Sequence, residues 1–480
     1  MVEFLVQLKE LFIANCKNVE EVISVDGFAE AESLSQILCF PKLEILVLDD
    51  LPKLRRFCYG NYFEFPFLIG FRIKKCSALK TFISGFAIEN ETQIAQRGVE
   101  DNSTAVDDSL SLFNEKVAFP SLERLTIIGG GSWRNICHDQ FHRDSFCKLN
   151  LLWVHDCDRL LYVFPFDMRG RLEKLEEMGI SCCDSLEEIF EPQGLNVSEL
   201  QAVTTNQSVR FVFPNLQILR LSMLPKLKSF CSRIHTAEWP SLKKMCVYGC
   251  DKVEIFASEN LNFGETSINQ QSLFWVNEVT FPNLEELELE WNDTMKEIWH
   301  GQLPEKFFCK LKVLKLVFFL EESAALPHCF IQSLPNLEKL VVKCAPFNHI
   351  FQCEGHGDEE RHGLAMTQLI KLKLVKLPEL AHIWKEEFQP RAAFFNLRTL
   401  EVQECGKLKN LVPSSVSFAN LTTLEVSKCH GLINLISSST AKSLMQLTKM
   451  SVIDCLMIEE IIAAMVMAVA LFSPNLSFCN

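Results

Sequence analysis

The 480-residue chain is 48% hydrophobic and 22% charged, which excludes a disordered polypeptide and supplies the apolar surface for a large interior. Its formal net charge of −14 argues against a nucleic-acid backbone or an anionic membrane as the main ligand, because both need a basic surface. The longest apolar run, Ile461 to Phe472, has 12 residues, short of the roughly 20 that span a bilayer.

Met1 to Cys16 carries no basic leader, no long apolar run and no small-residue cleavage site, so no signal peptide is expected. The 20 cysteines are then expected as free thiols in a reducing, cytoplasmic or nuclear setting. Triplets such as Asn102-Ser103-Thr104 are expected to be chance matches to a glycosylation signal.

A self-similar unit runs through the chain. Phe40-Pro41-Lys42-Leu43 leads through Leu46 and Leu48 to Leu51, Leu54 and Phe57. Phe213-Pro214-Asn215-Leu216, Trp239-Pro240-Ser241-Leu242 and Phe281-Pro282-Asn283-Leu284 open units of the same pattern. Fifteen copies have their first leucines at Leu8, Leu43, Leu68, Leu122, Leu149, Leu175, Leu216, Leu242, Leu284, Leu311, Leu337, Leu369, Leu397, Leu421 and Leu447. Most spacings fall within the roughly 20–29 residues of a leucine-rich repeat. The pattern predicts an α/β solenoid, a horseshoe with a parallel concave β-sheet and about fifteen irregular repeats. In each L-x-L strand the leucines point inward and the x residues face the concave side. The chain is expected to turn two places after the second strand leucine, at a small Cys or Asn. Nine cysteines are assigned to this position as packing residues: Cys16, Cys76, Cys157, Cys183, Cys250, Cys344, Cys405, Cys429 and Cys455.

Composition divides the chain into repeats 1–3 (residues 1–83), an acidic insertion (84–118), repeats 4–6 (119–190), a polar insertion (191–212), repeats 7–15 (213–462, with a loop at 257–280) and a non-repeat tail (463–480). Repeat begins at Leu5 with almost nothing before it, and no polar cap follows Glu460. Both ends read as cut from something larger.

The Phe-Pro-x-Leu start, the Cys after the strand and the ending Leu186-Glu187-Glu188-Ile189, with the variants Met295-Lys296-Glu297-Ile298-Trp299 and Leu380-Ala381-His382-Ile383-Trp384, form a distinctive set. In these features residues 5 to 462 resemble the repeat region of plant intracellular disease-resistance proteins of the coiled-coil, nucleotide-binding, leucine-rich-repeat class. The resemblance implies a cytoplasmic role in innate immunity. The implied partner is a pathogen effector, a guarded host protein or the receptor's own nucleotide-binding domain. The chain has no Gly-x-x-x-x-Gly-Lys-Ser/Thr phosphate loop and no preceding heptads, so nucleotide binding does not carry over and no cofactor is expected. Alternatives are a substrate-recruiting repeat protein of a ubiquitin ligase and an inactive receptor-gene fragment.

Candidate partner-binding residues lie at outward strand positions. Glu286, Glu288, Glu290 and Trp291 form an acidic strip with an aromatic edge. Lys244 on one side and Lys312 and Lys315 on the other form basic strips, as do Lys371, Lys373 and Lys376. Trp153 and His155 project similarly. Pairing between neighbouring strands explains such charges equally well without a partner. Trp299 and Trp384 sit at core-like positions and are expected to be buried. The one stretch dense in metal-binding side chains, His349, Cys353, His356, Asp358, Glu359, Glu360 and His362, falls in an irregular loop, and no metal site is expected there. No catalytic motif is present and no enzyme is expected.

Overall fold

Each repeat opens with a turn that its own residues dictate. In Phe40-Pro41-Lys42-Leu43 the Leu43 amide donates to the Phe40 carbonyl at 3.1 Å. The same bond recurs at Leu68, Leu122, Leu149, Leu242, Leu284, Leu311, Leu397 and Leu421, each onto the aromatic three residues earlier. Proline suits the second position of this turn, because its φ is fixed there and its missing amide is not needed. The strand then begins two residues after the first leucine.

The computed structural model describes residues 2–24, 37–60, 62–84, 111–191, 210–231, 236–250, 253–258, 272–276, 280–290, 307–317, 326, 334–351, 368–384, 394–411 and 418–463. The chain divides into two compact units, Met1–Leu311 and Lys312–Asn480. In the first unit, the parallel strands β1 (Glu10–Ala14), β2 (Ile45–Asp49), β3 (Gly70–Lys74), β4 (Arg124–Ile128), β5 (Leu151–His155), β6 (Glu177–Ser181), β7 (Ile218–Ser222), β8 (Lys244–Tyr248) and β9 (Glu286–Glu290) pair in chain order. In the second, β10 (Val313–Val317), β11 (Lys339–Lys343), β12 (Lys371–Val375), β13 (Thr399–Gln403), β14 (Thr423–Ser427) and β15 (Lys449–Ile453) do the same. The fold is an α/β leucine-rich-repeat solenoid. Its helices are few: among the described residues, a 3-10 helix at Phe166–Arg171 and an α-helix at Ser438–Ser443. Among the described residues, short parallel strands also pair on the side away from the main sheet, as in Ser111–Phe113, Asn135–Cys137, Tyr162–Phe164 and Glu188–Phe190.

The register explains the alternation. Leu46, Phe71, Leu125, Leu152, Met178, Leu219, Met245 and Leu287 occupy one row and are all buried. The second inward row, Leu48, Ile73, Ile127, Val154, Ile180, Leu221, Val247 and Leu289, is buried as well. A side-chain period of two permits this arrangement only if the remaining positions face outward.

Beneath the strands the leading aromatics, bridged by Phe57, Phe164, Phe190 and Phe307 from other repeat positions, form a continuous column through the first unit. Phe40 meets Phe57 (ring centroids 6.3 Å apart), Phe57 meets Phe65 (5.8 Å), Phe65 stacks on Phe119 (5.6 Å) and Phe119 on Phe146 (6.3 Å). The column continues through Phe164, Phe190 and Phe213 to Trp239, which stacks on Phe213 at 4.7 Å, and then to Phe281 and Phe307. In the second unit Phe351, Phe394 and Phe418 continue the same arrangement within their own stack. Aromatic contacts of this kind add about 0.5–1.5 kcal/mol beyond burial.

The exit from each strand comes where expected, but of the cysteines assigned to it only Cys344 occupies it. The residue two places after the second inward position has a left-handed backbone: Asp50 (φ 54°), Lys75 (50°), Asp156 (59°), Glu404 (56°), and glycine at Gly129 and Gly249. The cysteine follows one residue later. There its thiol donates back to the last strand carbonyl, for example from Cys183 to Ser181 at 3.3 Å and from Cys405 to Gln403 at 3.4 Å. It also opens a second turn, in which the amide of Leu79 donates to the Cys76 carbonyl and that of Leu408 to the Cys405 carbonyl. The left-handed residue donates its own amide to the next strand, as Asp156 does to Ser181 at 3.1 Å. That interstrand bond helps a non-glycine residue hold an unfavourable φ. Cys344 departs from the other cysteines. It occupies the left-handed position itself (φ 54°), and Ala345 fills the buried site. Cys16 and Cys455 lie on the first and last described turns and are exposed and half-buried respectively.

Some residues grouped by composition with the insertions are ordered. Ser111–Phe113 and Val117–Ala118 are buried strands, Arg210–Val212 pairs with Thr236–Glu238, and Glu254–Ser258 pairs with Ser272–Val276. Exposed large apolar side chains include Leu5 and Phe12 on the first described turns and Met445, Leu456 and Met457 on the last, with Phe67, Met223 and Phe395 between them.

Two outcomes follow from this packing. Phe119→Ala removes a ring that touches Phe65, Phe82, Phe113, Phe141 and Phe146, and should lower stability by about 3–5 kcal/mol in chemical denaturation. Burial raises the Cys76 thiol to about 11, so native protein should leave Cys76 unmodified by a maleimide that labels the exposed Cys16, as read by peptide mass spectrometry.

Candidate protein-recognition face

The first, third and fifth residues of each strand face outward, so consecutive strands lay their third residues side by side. In the first unit that row reads Thr126, Trp153, Gly179, Arg220, Cys246 and Glu288. Trp153 lies across the space left by Gly179: a Cβ on Gly179 would stand 2.7 Å from the indole ring. On the far side of the glycine the Arg220 guanidinium sits 5.5 Å from the Trp153 ring centroid. Arg220 is held in turn by an ion pair with Glu177, on the adjacent outward row. His155, next to Trp153 on the third outward row, shares a 2.7 Å hydrogen bond between Nδ1 and the Ser181 hydroxyl.

Each contact is modest. An exposed cation–π pair contributes about 0.5–1 kcal/mol and an exposed ion pair under about 1 kcal/mol. Together they fix a half-buried tryptophan in one orientation on an open sheet. A fixed aromatic loses little conformational entropy when a partner covers it. Trp153 and His155 are thus brought together as expected from sequence. Glu177, Gly179, Ser181 and Arg220 were missed. Aligning the outward third positions of consecutive repeats would have found Trp153, Gly179 and Arg220 in one line.

The acidic strip is engaged with its neighbour. Lys244 pairs with Glu286 at 2.9 Å, the Cys246 thiol lies 4.0 Å from Glu288, and Glu290 accepts a hydrogen bond from the Gly249 amide. Lateral pairing thus accounts for Lys244 and Glu286, the reading that needs no partner. Trp291 and Trp299 lie outside the described residues, as does the side chain of Trp384. In the second unit Lys315 takes the central outward position of β10, and Lys312 precedes that strand by one residue. Lys371 and Lys373 converge on Glu401 at 2.5 and 2.6 Å. Burial would raise that carboxyl, but the two ammonium hydrogen bonds outweigh it and hold Glu401 below its usual value.

His349 belongs to the convex strand His349–Phe351, paired with His382–Trp384. Cys353, His356, Asp358, Glu359, Glu360 and His362 lie outside the described residues. Among the described residues no three His, Cys, Asp or Glu side chains gather as metal ligands, and no helix is long and apolar enough to cross a membrane.

Gly179→Val would drive a methyl into the indole. Trp153 should move off the sheet, and its fluorescence emission should shift to the red while the far-ultraviolet circular dichroism stays unchanged.

The family model for leucine-rich repeats of RPS2-like plant disease resistance proteins matches residues 1–93, 121–262, 283–418 and 415–456. A probable disease resistance protein of Arabidopsis thaliana, At4g27220, is 28% identical over 131 residues, covering 27% of this chain and 13% of that protein's length. Among solved structures, a leucine-rich repeat protein from Bacteroides ovatus is 12% identical, with 86% of this chain and 85% of that one covered and a TM-score of 0.21. The plant peptide hormone receptor RGFR1, solved with RGF2, is 12% identical, with 97% and 96% covered and a TM-score of 0.24. With the family match running over most of its length, the chain belongs to the RPS2-like leucine-rich repeats of plant disease resistance proteins.

Proposed function

We propose that this chain is the protein-recognition part of a cytoplasmic plant immune receptor and that it acts by binding, without catalysis. Its outward sheet face meets a pathogen effector, a guarded host protein or the receptor's own nucleotide-binding domain. Family membership supports the class of protein. The single observation that carries the site is the Trp153 indole, laid over Gly179 and flanked by Arg220. Tryptophan and arginine are the residues most enriched at the energetic centres of protein interfaces. Glu177, His155 and Ser181 around them supply a polar surround that hydrogen-bonds at its edge. The charged residues Lys244, Glu286, Glu288, Glu290, Lys312 and Lys315, with Trp291, extend the recognition surface in this reading. They set orientation and association rate more than affinity.

The test is binding of the intact chain to effector and host candidates by surface plasmon resonance. Trp153→Ala should weaken a bound partner by about 30-fold or more, the equivalent of a 2 kcal/mol hot spot, with an unchanged circular dichroism spectrum. Arg220→Ala should weaken it less. Wild-type affinity in both variants would refute this face as the recognition surface.

A further inference from the structure

The second unit carries a surface of different character. On β10, β11 and β12 the outward residues fall into three rows: Val313, Lys339, Lys371; Lys315, Val341, Lys373; and Val317, Lys343, Val375. Lysines and valines share these rows; Val313, Val317 and Val375 are part-exposed, whereas the central Val341 is buried at 3% exposure. Lys376 follows β12 directly and is exposed.

Several neighbouring turns elsewhere in the chain set opposite charges against each other. Lys9 pairs with Glu44, Arg220 with Glu177, Lys244 with Glu286 and Lys449 with Glu425. At β11 and β12, as at Glu401 beside Glu425 on β13 and β14, like charges meet instead. Lys339 stands directly beside Lys371, and like charges in that position destabilise a sheet. Glu401 is shared between Lys371 and Lys373. Among the described residues no carboxylate pairs with Lys339, Lys343 or Lys376. Of the nearby carboxylates, Glu379 pairs with Lys407, and Glu338 lies just before β11 rather than among the outward positions. Among the described residues, a chain of net charge −14 thus carries three lysines on or beside this face, Lys339, Lys343 and Lys376, with no paired carboxylate.

We propose that this face of β10–β12 binds an acidic protein segment, its carboxylates reaching the lysines and its apolar side chains resting on the part-exposed Val313, Val317 and Val375. The proposal rests on the reading that the outward sheet face meets a protein, and it names the chemistry of a partner there. Nucleic acid fits less well. None of the nine outward residues on these strands is aromatic or arginine, so no platform exists for stacking bases. The part-exposed valines beside the lysines match a chain that carries apolar side chains, which a phosphate backbone does not.

The experiment uses the full chain and fluorescence anisotropy with three labelled probes. These are a 14-residue peptide alternating Glu with Ala or Val, its Lys-for-Glu counterpart, and a 14-nucleotide oligouridine. The acidic peptide should bind saturably and weaken at least tenfold between low and high salt. The Lys339→Glu, Lys343→Glu double variant should lose at least tenfold in affinity. Lys339→Glu by itself should also raise the melting temperature, because it replaces a like-charged neighbour pair with an opposite one. Lys407→Glu and Trp153→Ala should bind the peptide as wild type. No binding of the acidic peptide, binding unaffected by the double variant, or tighter binding of oligouridine would overturn the proposal. If the peptide fails while partner binding still depends on Trp153, this surface is lost and the recognition function stands.

Discussion

The structure depends on the lateral stacking of one turn on the next through the leading aromatic residues. No repeat can bury its own apolar side. A strand of five residues with two inward side chains has too little surface to hold itself, so each turn needs neighbours. Buried phenylalanines solve this along much of the stack. Phe119 touches rings from turns on both sides, and Trp239 stacks on Phe213 behind it and meets Phe281 ahead. Where the leading residue is not aromatic, an aliphatic one holds the same buried position, as Leu172 and Leu334 do.

Once the aromatics fix the spacing, the rest of the geometry is constrained. The Phe-Pro turn delivers the chain into the strand, and the left-handed residue followed by cysteine takes it out. Both turns are closed by a bond spanning three residues, and the left-handed amide ties each exit to the next strand. The thiol does more than fill space, since it satisfies the last strand carbonyl. A scaffold of this kind leaves three outward positions per strand that the core does not fill. The Trp153 group and the β10–β12 lysines both occupy those positions.

Much of the fold was legible from sequence because the constraint repeats. Every described strand of the main sheet starts two residues after a predicted first leucine, since the same turn precedes each one. The details that escaped are those where side-chain type does not determine backbone. Asp50, Lys75, Met223 and Glu404 share a left-handed conformation but no common chemistry, so the cysteine one residue further on was taken for the turn residue. The candidate site was half legible. Trp153 and His155 stood out by type, whereas Glu177 and Arg220 pair across 43 residues of sequence that include a long polar stretch. Gly179 carries no signal until its neighbours in register are known, because its contribution is the space that the indole fills.

The central claim is that adjacent turns are coupled through the aromatic column, and only adjacent ones. A double-mutant cycle measures that coupling directly. Phe119→Leu and Phe146→Leu should show an interaction free energy of about 0.5–1.5 kcal/mol in chemical denaturation, whereas Phe119→Leu and Trp239→Leu, several turns apart, should add within about 0.5 kcal/mol. Additivity in the first pair, or equal coupling in both, would contradict the account.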